Sequence, residues 1–179
     1  MTPRLRNVSF ALCCLALLLT AAACYTTKFA LGAREQAVVD RKFVGNWELA
    51  DPDQPGKPPI VMLIRNIDDH QYYVEYNEPA NDKGPQRFTG YLVAVKAVSF
   101  AHLRPLSDDG EVSEECILTR IGLTSDDKLT IRQLADNDKP FWKEHAVDSA
   151  ASLRKVIEAN LDNDQMYEAN TVTGTRVQK

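Results

Sequence analysis

Short apolar segments separated by turn sequences dominate the chain from residue 42 onward, and they constrain its fold more than any other feature. Several of them alternate apolar and polar residues with a period of two, which is the pattern of a half-buried β-strand. The predicted strands are Phe43–Leu49, Ile60–Ile67, Gln71–Asn77, Arg87–Val95, Val98–Leu103, Cys116–Leu123, Lys128–Leu134 and Gln165–Val172. The sequence therefore predicts a mainly β fold with about eight short antiparallel strands.

One segment near the C-terminus has a different period. Between residues 149 and 161, apolar side chains recur every three or four positions, which indicates an amphipathic helix. Asp148 or Ser149 is placed to cap its N-terminus. The helix thus precedes the last strand. Eight antiparallel strands can close into a barrel or form a strongly curved sheet, and an open sheet with the helix packed on one face is the alternative.

The first 23 residues have the three parts of a secretory signal. Arg4 and Arg6 supply the positive charge, an apolar run follows, and small residues precede Cys24. A transmembrane anchor is the alternative, but the apolar stretch 8–23 is shorter than the roughly 20 residues that span a bilayer. We predict a signal peptide over 1–23, a tether over 24–41 and a single β-rich domain over 42–179.

The residues Ala21-Ala22-Ala23-Cys24 resemble a bacterial lipobox, with Ala21 where leucine is usual. The resemblance implies that Cys24 is lipidated and becomes the mature N-terminus. Ordinary cleavage that leaves Cys24 as a free thiol is the alternative. In Gram-negative lipoproteins, an aspartate after the cysteine tends to retain the protein in the inner membrane. Because Tyr25 stands there, the resemblance implies a lipid-anchored cell-envelope protein, on the periplasmic side of the outer membrane if the host is Gram-negative.

Charge and cysteine usage agree with export. Loss of Arg4 and Arg6 makes the mature chain two units more negative than the net charge of −4 of the whole sequence. Such a chain has no basic footprint for nucleic acid. Cys116 is then the only cysteine of the domain, so no internal disulfide is expected, and it is read as a semi-buried strand residue.

Gly45-Asn46-Trp47 opens the first predicted strand and resembles the Gly-x-Trp signature of the lipocalin and wider calycin barrels. The resemblance implies a barrel whose closed end is plugged by Trp47, with an arginine from a late strand stacked across the indole. The Thr-Asp-Tyr signature of lipocalins is absent, and the helix precedes the last strand instead of following it. The arginine candidates are Arg120, Arg132 and Arg176.

The whole chain also resembles a group of uncharacterised bacterial lipoproteins. Their shared features are a lipobox, a tether, a Gly-x-Trp start, a strand-rich body and a late helical segment containing tryptophan, here Phe141-Trp142-Lys143. This resemblance implies no particular activity.

Sequence motifs for catalysis and cofactor binding are absent. There is no nucleophile elbow and no phosphate loop. His70, His102 and His145 lack the spacing of metal ligands, and the acidic stretch 107–115 does not match an EF-hand loop. We therefore predict no cofactor and no metal site.

Tyr72 and Tyr76 share one face of their strand and are the candidate ligand-binding residues. Cross-strand pairing that only stabilises the sheet is the alternative. The leading interpretation is a non-enzymatic, lipid-anchored envelope protein that binds a partner protein or a small apolar ligand. The alternative is an envelope hydrolase whose carboxylates converge only in the fold, for example Glu75 with a residue of the stretch 107–115.

Overall fold

The structure of the chain is a computed structural model, which describes residues 25–50, 56, 58–79 and 84–177. The predicted signal peptide and Cys24 lie outside these residues. Among the residues described, no helix is long and apolar enough to cross a membrane.

Nine strands form one antiparallel sheet. They are β1 Thr26–Thr27, β2 Gly45–Ala50, β3 Ile60–Asn66, β4 Tyr72–Asn77, β5 Gln86–Val95, β6 Val98–Leu106, β7 Cys116–Ser125, β8 Lys128–Gln133 and β9 Val172–Arg176. Strands β2 to β8 pair in sequence order, and β9 pairs with both β8 and β2. These eight strands therefore close into a barrel, which confirms the predicted barrel and removes the sheet edges that an open arrangement would leave.

The strand directions separate the connections into two sets. Neighbouring strands are antiparallel, so successive connections alternate between the two ends of the barrel. At one end, the turn end, lie the short connections 67–71, 96–97 and 126–127. The longer connections start from the other end, which we name the loop end. They are 51–59, 78–85, 107–115 and 134–171. The connections 51–59, 78–85 and 107–115 thus start from the same end of the barrel.

Two helices lie between β8 and β9. Helix α1 spans Pro140–Glu144 and helix α2 spans Ala150–Ala159. Ser149 caps α2, since its side chain accepts from the backbone N–H of Ser152 in a capping box. The prediction of a helix before the last strand is confirmed.

The last strand lies further along the chain than predicted. Over the expected strand Gln165–Val172, the chain first forms a 3-10 turn, Asp164–Met166. The side chain of Asn163 accepts from the N–H of Gln165 and starts this turn. Met166 and Tyr167 then bury against the helices. Local capping therefore outweighs the apolar pattern here, and the strand that closes the barrel is β9.

The chain has two apolar cores, one on each side of the barrel wall. The inner core fills the barrel and includes Trp47, Leu49 and Met62. The outer core lies between the helices and the outward-facing side chains of β5 to β7, such as Phe100 and Leu118. Alternation along each strand sends successive side chains to opposite cores.

Residues 25–43, which we name the N-terminal strap, run along the outside of the barrel to its turn end, where Phe43 joins the inner core. Tyr25 packs on Trp142 with ring centroids 4.2 Å apart, and β1 pairs with the first residues of β7. Tyr25, Leu31 and Ala37 are buried. The described part of the predicted tether 24–41 is thus docked on the domain, because its apolar side chains complete the outer core.

Candidate functional site

The turn end of the barrel is closed by Trp47 and Arg176. The indole of Trp47 is fully buried and donates to the carbonyl of Phe43 at 2.9 Å. The guanidinium of Arg176 lies over the ring, with its carbon 4.3 Å from the ring centroid. It donates to the carbonyls of Val44 and Lys42 and to that of Asp126. One side chain therefore joins β9, the start of β2 and the turn between β7 and β8.

Of the three arginine candidates, the structure thus places Arg176 against Trp47. Arg120 and Arg132 lie outside the barrel, beside the ring of Tyr167, at 6.0 and 4.3 Å from its centroid. Register explains the choice, since Arg176 is the direct partner of Trp47 in the ladder between β2 and β9.

Gly45 leaves room for that guanidinium. Its φ is +154°, and a Cβ at this position would overlap Nη1 of Arg176. A glycine two residues before the tryptophan is therefore required by the close approach of the arginine.

Partly buried apolar side chains border the barrel interior at both ends, and at the turn end they include Val44 and Leu123. Inward-facing side chains near the turn end, such as Ile64, Tyr72 and Leu129, are 4%, 4% and 1% exposed. Near the loop end, the inner core is bordered by side chains that are only partly buried, namely Ile60, Tyr76, Phe88, Leu103 and Val172. We name these five residues the mouth. They form an apolar rim whose surface is partly open to solvent.

The two tyrosines singled out from the sequence both face the interior but lie at opposite ends of β4. Tyr72 is at the turn end, where its hydroxyl accepts from the N–H of Asp40 at 2.6 Å and donates to the carbonyl of the same residue. Burial raises the pKa of Tyr72 to about 12. Tyr76 lies in the mouth. The polar group of Tyr72 is therefore already bound to the strap, whereas Tyr76 borders the loop end.

Sequence reasoning groups Phe88 with the tyrosines as a possible pocket lining but misses Ile60, Leu103 and Val172 as site residues. Phe88 stands near Tyr76 in the pairing of β4 with β5, and Ile60, Leu103 and Val172 come from three further strands. Alternation alone marks each as core-facing. Only the closure of the barrel brings them to one rim, so no local signal could have grouped the last three with Tyr76.

The carboxylates of the hydrolase alternative do come together, but as an ion-pair network. Arg87 lies between Glu75, with Nε 3.7 Å from its carboxylate, and Asp108 of the stretch 107–115, with Nη1 at 3.2 Å. Tyr73 also donates to Glu75 at 2.8 Å. The group sits on the outer wall of the barrel, where Arg87 and Glu75 are 38% and 34% exposed. Both carboxylates are held by the same guanidinium.

The three histidines are far apart in the fold. His70 bonds the carbonyl of Ala37 in the strap, and His145 bonds that of Phe141. His102 is buried on the outer face of β6. Within the described parts of the chain, no three His, Cys, Asp or Glu side chains are arranged to hold a metal ion.

Two shallow grooves lie on the outer surface. One, of about 600 Å³, follows β2 and β3 beside Asn46, Leu63 and Val177. The other, of about 710 Å³, lies beside α1 and Tyr167. Neither is inside the barrel.

Comparison with protein-family models, with curated proteins and with solved structures found no match.

Proposed function

We propose that the chain is a non-enzymatic protein of the cell envelope, anchored by a lipid on Cys24, whose barrel binds a small apolar molecule at the mouth. One observation carries the binding part of this proposal. Five inward-facing apolar side chains at the loop end, one from each of five strands, are only partly buried. An eight-stranded barrel has an interior just wide enough for packed side chains or for one small ligand.

The closed end supports the same proposal. Gly45, Trp47 and Arg176 form the plug that the calycin resemblance implies, with the arginine on the last strand. Because the turn end is plugged, a ligand can approach the barrel interior only from the loop end. In this proposal the ligand rests against the apolar side chains of the mouth residues at the loop end.

The anchoring part follows from the sequence. The wild-type protein should partition into detergent, and Cys24→Ser should be released or remain unprocessed. An intact mass with an unmodified Cys24 at the mature N-terminus would contradict the anchor and leave the binding proposal standing.

Binding is tested with an apolar fluorescent probe titrated into the folded protein. We expect saturable binding near one probe per chain. The double variant Tyr76→Ala with Phe88→Ala should weaken it at least tenfold while urea melts show a folded barrel. Tyr73→Ala, which changes the same strand on its outer face, is the matched control and should bind normally.

A partner protein is the competing occupant. Absence of saturable probe binding by the folded protein would overturn the small-ligand proposal. A pull-down from envelope extract would then identify the partner.

A further inference from the structure

The N-terminal strap crosses the strand that carries a buried histidine. On one side, the carbonyl of Thr27 accepts from the thiol of Cys116 on β7 at 3.1 Å. On the other, the carbonyl of Gly32 accepts from the hydroxyl of Tyr91 on β5 at 3.0 Å. Strand β6 lies between β7 and β5. Residues 28–31 therefore cross β6, and His102 is the residue of β6 that faces Tyr91 and the neighbours of Cys116.

The imidazole of His102 is 5% exposed. Among the residues that the structure describes, neither of its ring nitrogens has a hydrogen-bond partner. Its ring stacks on that of Tyr91 with centroids 4.7 Å apart. A neutral imidazole tolerates such a site, but an imidazolium would bring a charge and two N–H donors into it without an acceptor.

The charged groups around the site do not favour protonation. Six titratable or charged side chains lie on the elements around His102. They are Arg104 on its own strand, Tyr91 on β5, Cys116 on β7, Arg34 and Glu35 on the strap, and Arg154 on α2. Burial, and to a lesser degree Arg104, lower the pKa of His102 from 6.5 to about 4. Cys116 stays a neutral thiol, since burial raises its pKa to about 11.

We infer that the N-terminal strap is a pH-sensitive latch, which is docked when His102 is neutral and opens when His102 takes up a proton. Opening exposes the ring to water, where the proton is held at its ordinary affinity. The docked state is therefore fully favoured above pH 6.5 and loses its advantage as the pH falls toward 4. The pKa of His102 is 6.5 in the open state and about 4 in the docked state, so the open state binds the proton more tightly. This difference makes the open fraction about 30-fold larger at pH 5 than at pH 7.5. The inference does not require the proposed ligand or the lipid.

Hydrogen exchange of the purified protein, followed by mass spectrometry between pH 7.5 and pH 4.5, tests the latch. After correction for intrinsic exchange rates, protection in residues 25–37 should fall about 30-fold at pH 5 while β2 to β4 keep theirs. Cys116 is a second reporter, since its thiol is covered by the strap. Its labelling by a disulfide reagent that reacts at acid pH, relative to the unfolded chain, should rise in parallel.

His102→Phe is the decisive variant. Phenylalanine keeps the stack on Tyr91 and loses no hydrogen bond, so the strap should stay protected at pH 5. His70→Gln is the matched control, because His70 also contacts the strap, at Ala37, and its loss should leave the acid response in place.

Three outcomes would overturn the latch. They are equal loss of protection in the strap and the barrel, no loss in either, and an acid response that persists in His102→Phe. If His102→Phe does not fold, His102→Leu replaces it, and the comparison of strap with barrel in the wild type still decides between local and global opening.

Discussion

Gly45→Ala tests whether the plug of the barrel depends on the close approach of Arg176. The added methyl group would overlap the guanidinium, so Arg176 must move away from the indole. The new residue must also adopt a φ of +154°, which L residues rarely take.

The magnitude can be worked from these two effects. The strained backbone costs about 1–3 kcal/mol. Displacement of Arg176 removes hydrogen bonds from a charged group to the carbonyls of Val44 and Lys42, and such bonds contribute about 1.5–3 kcal/mol each. Because the Arg176 side chain is 22% exposed and can regain hydrogen bonds to water, we expect the free energy of unfolding to fall by about 4 kcal/mol, the lower end of this range. That is a large share of the roughly 5–15 kcal/mol of a typical domain.

Urea melts followed by circular dichroism measure the change. Gly122→Ala is the matched control, because it lies in β7 and its Cβ would meet only the hydroxyl of Thr130 at 3.4 Å. That variant should change stability by no more than about 1 kcal/mol. In an Arg176→Ala background, Gly45→Ala should lower the free energy of unfolding only by the contribution of the strained backbone. Equal costs for Gly45→Ala and Gly122→Ala would refute the reasoning.

Three further changes probe the closed end and the helix. Trp47→Ala should lower the free energy of unfolding by about 3–5 kcal/mol, because the side chain is fully buried; a loss below about 1 kcal/mol in urea would show that the plug is not part of the core. Tyr72→Phe should cost about 1–3 kcal/mol, because the N–H of Asp40 loses its acceptor, and hydrogen exchange should show faster opening near residue 40; unchanged exchange there would contradict the bond. Ser149→Ala should cost about 1 kcal/mol in a thermal melt through loss of the N-cap, and an unchanged midpoint would show that the capping box adds nothing.

The strands and the helix could be predicted from sequence because their signals are local, whereas closure of the barrel depends on the long-range pairing of β9 with β2. Alternation marks the strands, and the spacing of Leu153 and Ile157 with the cap at Ser149 marks the helix. The arginine over Trp47 could not be chosen, because it depends on the register between β2 and β9.

Other features depend on contacts that no local pattern records. The sequence predicts a tether over 24–41 because this segment is mixed in composition. Only the outer core explains why Tyr25 and Leu31 are buried. The mouth likewise exists only once β9 closes the ring.

The place of β9 in the chain also sets an order of events during folding. Until residues 172–176 are present, strand β2 cannot pair with β9 and Arg176 cannot stack on Trp47. Pairing over so long a separation is slow, because the intervening chain must first lose its freedom. While the chain is being made, one edge of β2 therefore lacks its partner and the barrel stays open. For the exported protein that we propose, the barrel could close only after the last strand has crossed the membrane.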